Sequence, residues 1–61
     1  MTNSEKELWL CEFHDAFERG ELKEANKMFW LLPFAERIDL CKADYLLRER
    51  LVELMIEEGR N

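Results

Sequence analysis

The residues best suited to chemistry in this 61-residue chain are Cys11 and His14, which have a Cys-x-x-His spacing. On a helix the two side chains share a face, so a thiolate and an imidazole could together hold a zinc ion. A structural zinc site needs four ligands, and Cys41 is the one further cysteine of the sequence. Because no second closely spaced ligand pair exists, we expect no metal and no cofactor, with Cys11 half-buried and His14 a surface imidazole.

His14 is followed directly by Asp15, which suggests an acid–base pair. Adjacent residues of a helix do not face each other, however, so the two groups would not meet. The sequence has no Gly-rich phosphate loop, no nucleophile signature and no carboxylate dyad with an enclosing pocket. We therefore predict that the protein is not an enzyme, and we assign no catalytic residue.

The composition favours helices along the whole chain. Ten Leu and eleven Glu stand against only four β-branched residues, a bias typical of helices and unfavourable for strands. We predict an all-α fold with one domain over residues 1–61, either a small three-helix domain or a bent helical hairpin. A chain of this size has a small core, so we also expect it to self-associate.

Capping and breaking residues set the predicted helix boundaries. Ser4 as N-cap, with Glu7 at the capping-box spacing, begins a first helix over about residues 5–19, which Gly20 ends. A second helix covers about residues 21–32 and ends before Pro33. The third covers about residues 34–58, or breaks near Asp44, which could act as an internal N-cap.

Apolar residues at helical spacing define the predicted core. On the third helix Leu40, Leu47 and Leu54 recur every seven residues, and so do Ile38, Tyr45 and Val52. The leucine row is compatible with a short coiled-coil seam, but Ala43, Arg50 and Glu57 at the second seam position weaken that interpretation. The predicted core comprises Trp9, Phe13, Phe17, Phe29, Leu32, Phe34, Ile38, Tyr45, Leu47, Leu51 and Leu54.

Residues 28–35 carry no charge, and their one hydrogen-bonding side chain is the Trp30 indole. Phe29 continues the apolar stripe of the second helix. Trp30 and Leu31 are turned from Phe29 by about 100° and 200°, so they cannot both share its face. We predict an interface formed by Trp30 and Leu31, with Met28 at its rim. It would serve a homodimer, with a different protein partner in addition.

The charge distribution disfavours nucleic acid as a partner. The net charge is −5, and residues 1–24 hold seven acidic residues against three basic ones, whereas binding to phosphate needs clustered Lys and Arg. Residues 22–45 nevertheless read as helix, tight turn, helix, which leaves a helix-turn-helix open, with Arg37 between Glu36 and Asp39 on its recognition helix. The acidic surface also leaves DNA mimicry open.

The sequence also bears on where the protein is found. Residues 1–7 are polar and acidic, unlike a signal peptide. No apolar stretch approaches the roughly 20 residues that span a bilayer. We expect a cytoplasmic protein with two free thiols and no membrane contact.

Over its full length the sequence resembles the small early proteins of lambda-like temperate bacteriophages, which are encoded between the recombination and excisionase genes. The resemblance lies in the chain as a whole and in no diagnostic motif, so it implies no catalytic or binding residue. It implies an accessory protein of the host bacterial cytoplasm that contacts a host or phage protein. Such a protein would modulate host physiology or the choice between lysis and lysogeny.

Overall fold

Four helices account for most of residues 1–59, the part of the chain that the computed structural model describes. They are α1 (Asn3–Glu18), α2 (Leu22–Trp30), α3 (Phe34–Ala43) and α4 (Tyr45–Gly59). Residues 1–59 contain no strand, which confirms the all-α prediction. The expected count of three helices is wrong, because the segment over residues 34–58 divides at Asp44. The alternative with a break at that residue is the one observed.

Helix α1 begins two residues earlier than the sequence suggested. Thr2 is the N-cap: its Oγ1 accepts a hydrogen bond from the Glu5 backbone N–H at 3.1 Å. The Glu5 carboxylate accepts one in return from the Thr2 N–H, also at 3.1 Å. This bond, together with a hydrogen bond from the Thr2 hydroxyl to the same carboxylate, lowers the pKa of Glu5. The prediction of Ser4 and Glu7 as the capping box was therefore wrong, because Thr2 and Glu5 have the same spacing.

Gly20 ends α1, as the sequence predicted, and has a φ of +81°. Its N–H donates to the Phe17 carbonyl at 3.1 Å, and the Glu21 N–H donates to the Ala16 carbonyl at 3.0 Å. This pair of bonds is the Schellman motif, which requires a left-handed residue after the helix. Gly20 thereby reverses the chain into α2.

Substitution of Gly20 by alanine is expected to lower the free energy of unfolding by about 1–2 kcal/mol, the cost of the left-handed conformation for a residue with a Cβ. A Cβ at this position would meet no atom within 4 Å, so the loss comes from the backbone alone. Urea unfolding followed by circular dichroism measures the change. Gly59→Ala is the control, since Gly59 lies in α4 and an added Cβ there also meets nothing. A Gly20→Ala variant as stable as the wild type would contradict the prediction.

The core lies where α1, α2 and α4 meet, and α3 packs against α4. The predicted core residues Phe13, Phe29, Leu47 and Leu54 are buried. A second predicted group is partly buried against them, namely Trp9, Phe17, Leu32 and Leu51. The buried residues that the predicted core left out are Ala16, Ala25 and Leu40.

Three predicted core residues lie instead on the surface. Phe34 is 69%, Ile38 41% and Tyr45 66% exposed. On α3 and α4 the buried row is that of Leu40, Leu47 and Leu54. Tyr45 points about 180° away from Leu54 around α4, so both cannot face inward. For Ile38 and Tyr45 the prediction failed because their heptad row competes with the leucine row for the same core. Phe34 belongs to neither row and lies at the start of α3, where its ring contacts Arg37.

Candidate functional site

The imidazole of His14 joins α1 to the junction of α3 and α4. Its Nε2 lies 2.9 Å from Asp44 Oδ2, and its Nδ1 lies 2.8 Å from Arg50 Nη1. The His14 side chain is 19% exposed, so it is half-buried rather than the surface imidazole that the sequence suggested. Asp44 and Arg50 are 30 and 36 residues away in sequence.

The protonation pattern of His14 follows from its partners. A guanidinium only donates hydrogen bonds, so His14 Nδ1 must accept from Arg50. Nε2 therefore carries the hydrogen of the neutral ring and donates it to the Asp44 carboxylate. Both ring nitrogens are thus engaged within the molecule, and neither is free to take a proton from a substrate. This arrangement favours a structural role for His14.

Arg50 and Asp44 each have further contacts. Arg50 also donates to the His14 carbonyl at 3.3 Å and to Glu18 Oε1 at 3.2 Å, and its guanidinium lies over the Phe17 ring. Asp44 Oδ1 accepts from the Leu47 N–H at 3.2 Å, which caps the start of α4. Burial raises the pKa of Asp44, but the hydrogen bonds from His14 and from the Leu47 backbone outweigh it and lower the pKa.

Both cysteines are free thiols. Cys11 is exposed, not half-buried as expected, and His14, the other residue of the Cys-x-x-His spacing, is hydrogen-bonded to Asp44 and Arg50. Burial raises the pKa of the Cys41 thiol, an effect that the nearby Arg48 opposes. Within residues 1–59 no group of three or more His, Cys, Asp or Glu side chains could hold a metal ion.

Two exposed aromatic side chains, two exposed aliphatic ones and one arginine form a second feature, which we call the aromatic–arginine patch. It is made of Trp30, Leu31, Phe34, Arg37 and Ile38. The guanidinium carbon of Arg37 lies 4.9 Å from the Trp30 ring centroid and 5.6 Å from that of Phe34. Trp30 is 57% and Leu31 73% exposed. The two predicted interface residues thus lie on the surface together, next to two residues that had been predicted for the core.

Hydrogen bonds hold the patch in place. Trp30 Nε1 donates to Asn26 Oδ1 at 2.9 Å, and Asn26 Nδ2 donates to Glu58 Oε1 at 2.6 Å. Arg37 Nε donates to the Leu32 carbonyl at 3.1 Å. Met28, the predicted rim residue, packs against the core and is only partly exposed. The patch is therefore preorganised on α2, the turn and α3.

Trp30 also borders an open groove of about 560 Å³ between α2 and the end of α4. Its lining includes lysine and glutamate side chains but neither a thiol nor an imidazole. Two positive and two negative charges balance in this lining, so the groove does not select a ligand by charge. It is lined by Leu22, Lys23, Asn26, Lys27, Trp30, Leu54, Glu57 and Glu58.

The first turns of α3 do not resemble a DNA-reading surface. Glu36 accepts a hydrogen bond from the N-terminal ammonium at 3.0 Å. Asp39 pairs with Lys6, whose hydrogen bond and charge lower the pKa of the Asp39 carboxylate. Arg37 is held over aromatic rings. A phosphate approaching α3 would meet two carboxylates, which disfavours the helix-turn-helix interpretation.

In comparisons with known proteins, no protein-family model, no curated protein and no solved structure matches the chain. No helix within residues 1–59 has the length and apolar character needed to cross a membrane.

Proposed function

We propose that this protein acts by binding another protein through the aromatic–arginine patch and carries out no catalysis. One observation carries the proposal: the Arg37 guanidinium lies over the exposed rings of Trp30 and Phe34 and, within residues 1–59, forms no ion pair. Trp and Arg are the residues most enriched among those that dominate binding energy at protein interfaces. Preorganisation by hydrogen bonds reduces the entropy lost on binding.

The side chains of the patch indicate which groups the partner should present. The terminal nitrogens of Arg37 can donate two parallel hydrogen bonds to a carboxylate. Trp30, Leu31 and Phe34 offer apolar surface around that cation. The partner should therefore present an Asp or Glu beside apolar side chains. The resemblance to phage early proteins agrees with such a role, in which the target would be a host or phage regulator.

Nucleic acid is the competing partner, because aromatic rings and arginine also bind single strands. Its backbone needs several clustered cations, whereas α3 presents Glu36 and Asp39 next to Arg37. The whole chain has a net charge of −5. A protein partner is therefore better supported.

The test compares wild-type protein with Arg37→Glu as immobilised bait in a nuclease-treated bacterial extract. A captured protein counts only if, once purified, it binds the wild type directly. We expect Arg37→Glu to weaken that binding at least about tenfold, because it sets a carboxylate against a carboxylate. The control is Lys23→Glu, which reverses a charge on the first turn of α2 outside the patch. Equal loss in both variants, or capture seen only in a parallel extract that was not treated with nuclease, would overturn the proposal.

A further inference from the structure

Helix α4 has a second apolar face, opposite the one that enters the core. Tyr45, Val52 and Ile56 lie within about 20° of a common line along the helix, and they are 66%, 55% and 52% exposed. We call these three residues the outer stripe. Met55, 68% exposed, lies beside it. The buried Leu47 and Leu54 are on the opposite side, so α4 is apolar on two faces.

The two edges of the outer stripe carry opposite charges at nearly the same position along the helix axis. Arg48 and Glu49 are consecutive residues, about 100° apart around the helix, with the stripe between them. The Arg48 guanidinium lies over the Tyr45 ring, 5.1 Å from its centroid. Neither residue forms an ion pair with another residue of the range 1–59.

This pattern is complementary to itself in one orientation. When two identical helices pack in parallel about a two-fold axis, the left edge of one faces the right edge of the other. Arg48 then meets Glu49 of a second copy, and by symmetry the pair forms twice. In antiparallel packing each edge of the stripe faces the same edge of the second copy, so Arg48 would approach the Arg48 of that copy. The charges therefore select the parallel arrangement.

We propose that a second copy of this chain covers the outer stripe, forming a parallel two-fold dimer with two Arg48–Glu49 pairs between the α4 helices. The proposal does not depend on the aromatic–arginine patch, because it uses different residues on a different helix. A 15-residue helix is about 22 Å long, so the pairing buries less than a standard interface. We expect a dissociation constant on the order of 10–100 µM.

Sedimentation equilibrium from about 5 to 500 µM, a range that brackets this constant, tests the dimer. The wild type should approach twice 7.4 kDa at the highest concentration. Val52→Glu should remain a monomer, and because Val52 is exposed the variant should keep the helical circular dichroism of the wild type. Wild-type protein that is monomeric at every concentration would overturn the proposal.

Charge reversal tests the orientation. Arg48→Glu and Glu49→Arg should each weaken dimerisation at least about fivefold, and the double variant should restore it. In a background with Cys11→Ser and Cys41→Ser, Ile56→Cys should form an intermolecular disulfide on mild oxidation, because parallel pairing brings the two copies of position 56 together. A double variant that does not recover, or dimers lost in Trp30→Glu but kept in Val52→Glu, would overturn the assignment to α4.

Discussion

Replacement of Phe13 by alanine is expected to lower the free energy of unfolding by about 3–5 kcal/mol, the largest loss expected from a single substitution in this protein. Phe13 is 0% exposed, and its ring stacks on Trp9 with the centroids 5.2 Å apart. Loss of a buried phenylalanine costs about 3–5 kcal/mol, since the cavity cannot close completely. A chain of 61 residues has a total stability of about 3–9 kcal/mol, so this one cavity removes much or all of it.

Thermal and urea unfolding followed by far-UV circular dichroism measure this effect, at one fixed protein concentration because dimerisation would add stability. Leu8→Ala is the matched control: Leu8 lies on the same helix but is 61% exposed. Its loss should change stability by no more than about 0.5 kcal/mol. If Phe13→Ala kept a cooperative transition within about 1 kcal/mol of the wild type, Phe13 would not be the centre of the core.

Local signals in the sequence predicted much of the fold. Gly20 and Pro33 mark the ends of helices because one adopts a left-handed conformation and the other lacks an N–H. The spacing of Phe13 and Phe29 within their helices predicted their burial. Ala16 and Ala25 were less apparent, since small residues are buried where helices approach closely rather than because they are strongly apolar.

The sequence did not decide which heptad row of α3 and α4 faces the core. Leu47 and Tyr45 belong to rows with the same period, and periodicity alone does not tell inside from outside. Asp44 is extended, with φ −133° and ψ 110°, so the helical phase of α3 does not continue into α4. The excluded row, with Tyr45 and Val52, became the outer stripe of α4.

The candidate sites differ in how far the sequence could reveal them. Trp30 and Leu31 were placed outside the core from helical phase alone, and both are exposed. Arg37 was weighed only as a DNA contact, although its position three residues after Phe34 is a spacing that brings side chains together on a helix. The contacts of His14 with Asp44 and Arg50 were not predictable, because they depend on how distant helices pack.

Asp44→Ala is the second change with a large expected effect, a loss of about 2 kcal/mol in the free energy of unfolding. The alanine removes the cap on the Leu47 N–H, which is worth about 0.5–2 kcal/mol. It also leaves His14 Nε2–H without its charged acceptor. A buried hydrogen bond to a charged group contributes about 1.5–3 kcal/mol. This one contributes less, because the Asp44 side chain is 22% exposed. Urea unfolding at neutral pH measures the loss.

The pH dependence identifies the ionised carboxylate as the cause. The pKa of Asp44 is lowered in the folded protein, so its contribution is complete above the unfolded pKa of about 3.9 and is lost as the pH falls through the folded value. Asp44→Asn keeps a capping oxygen but no charge. The stability gap between the wild type and this variant should therefore be largest at neutral pH and should shrink as the pH approaches about 3.

Asp15→Asn is the control for this titration, because Asp15 is an exposed carboxylate that pairs with Arg19 one turn away on α1. Exposed pairs of this kind contribute less than about 1 kcal/mol, so its gap should be small at every pH. A gap for Asp44→Asn that stayed constant from neutral pH to about pH 3 would show that the amide disturbs packing rather than removing a charge. A shrinking gap would instead mean that the ionised carboxylate itself stabilises the fold, through its contact with His14 and its cap on the Leu47 N–H.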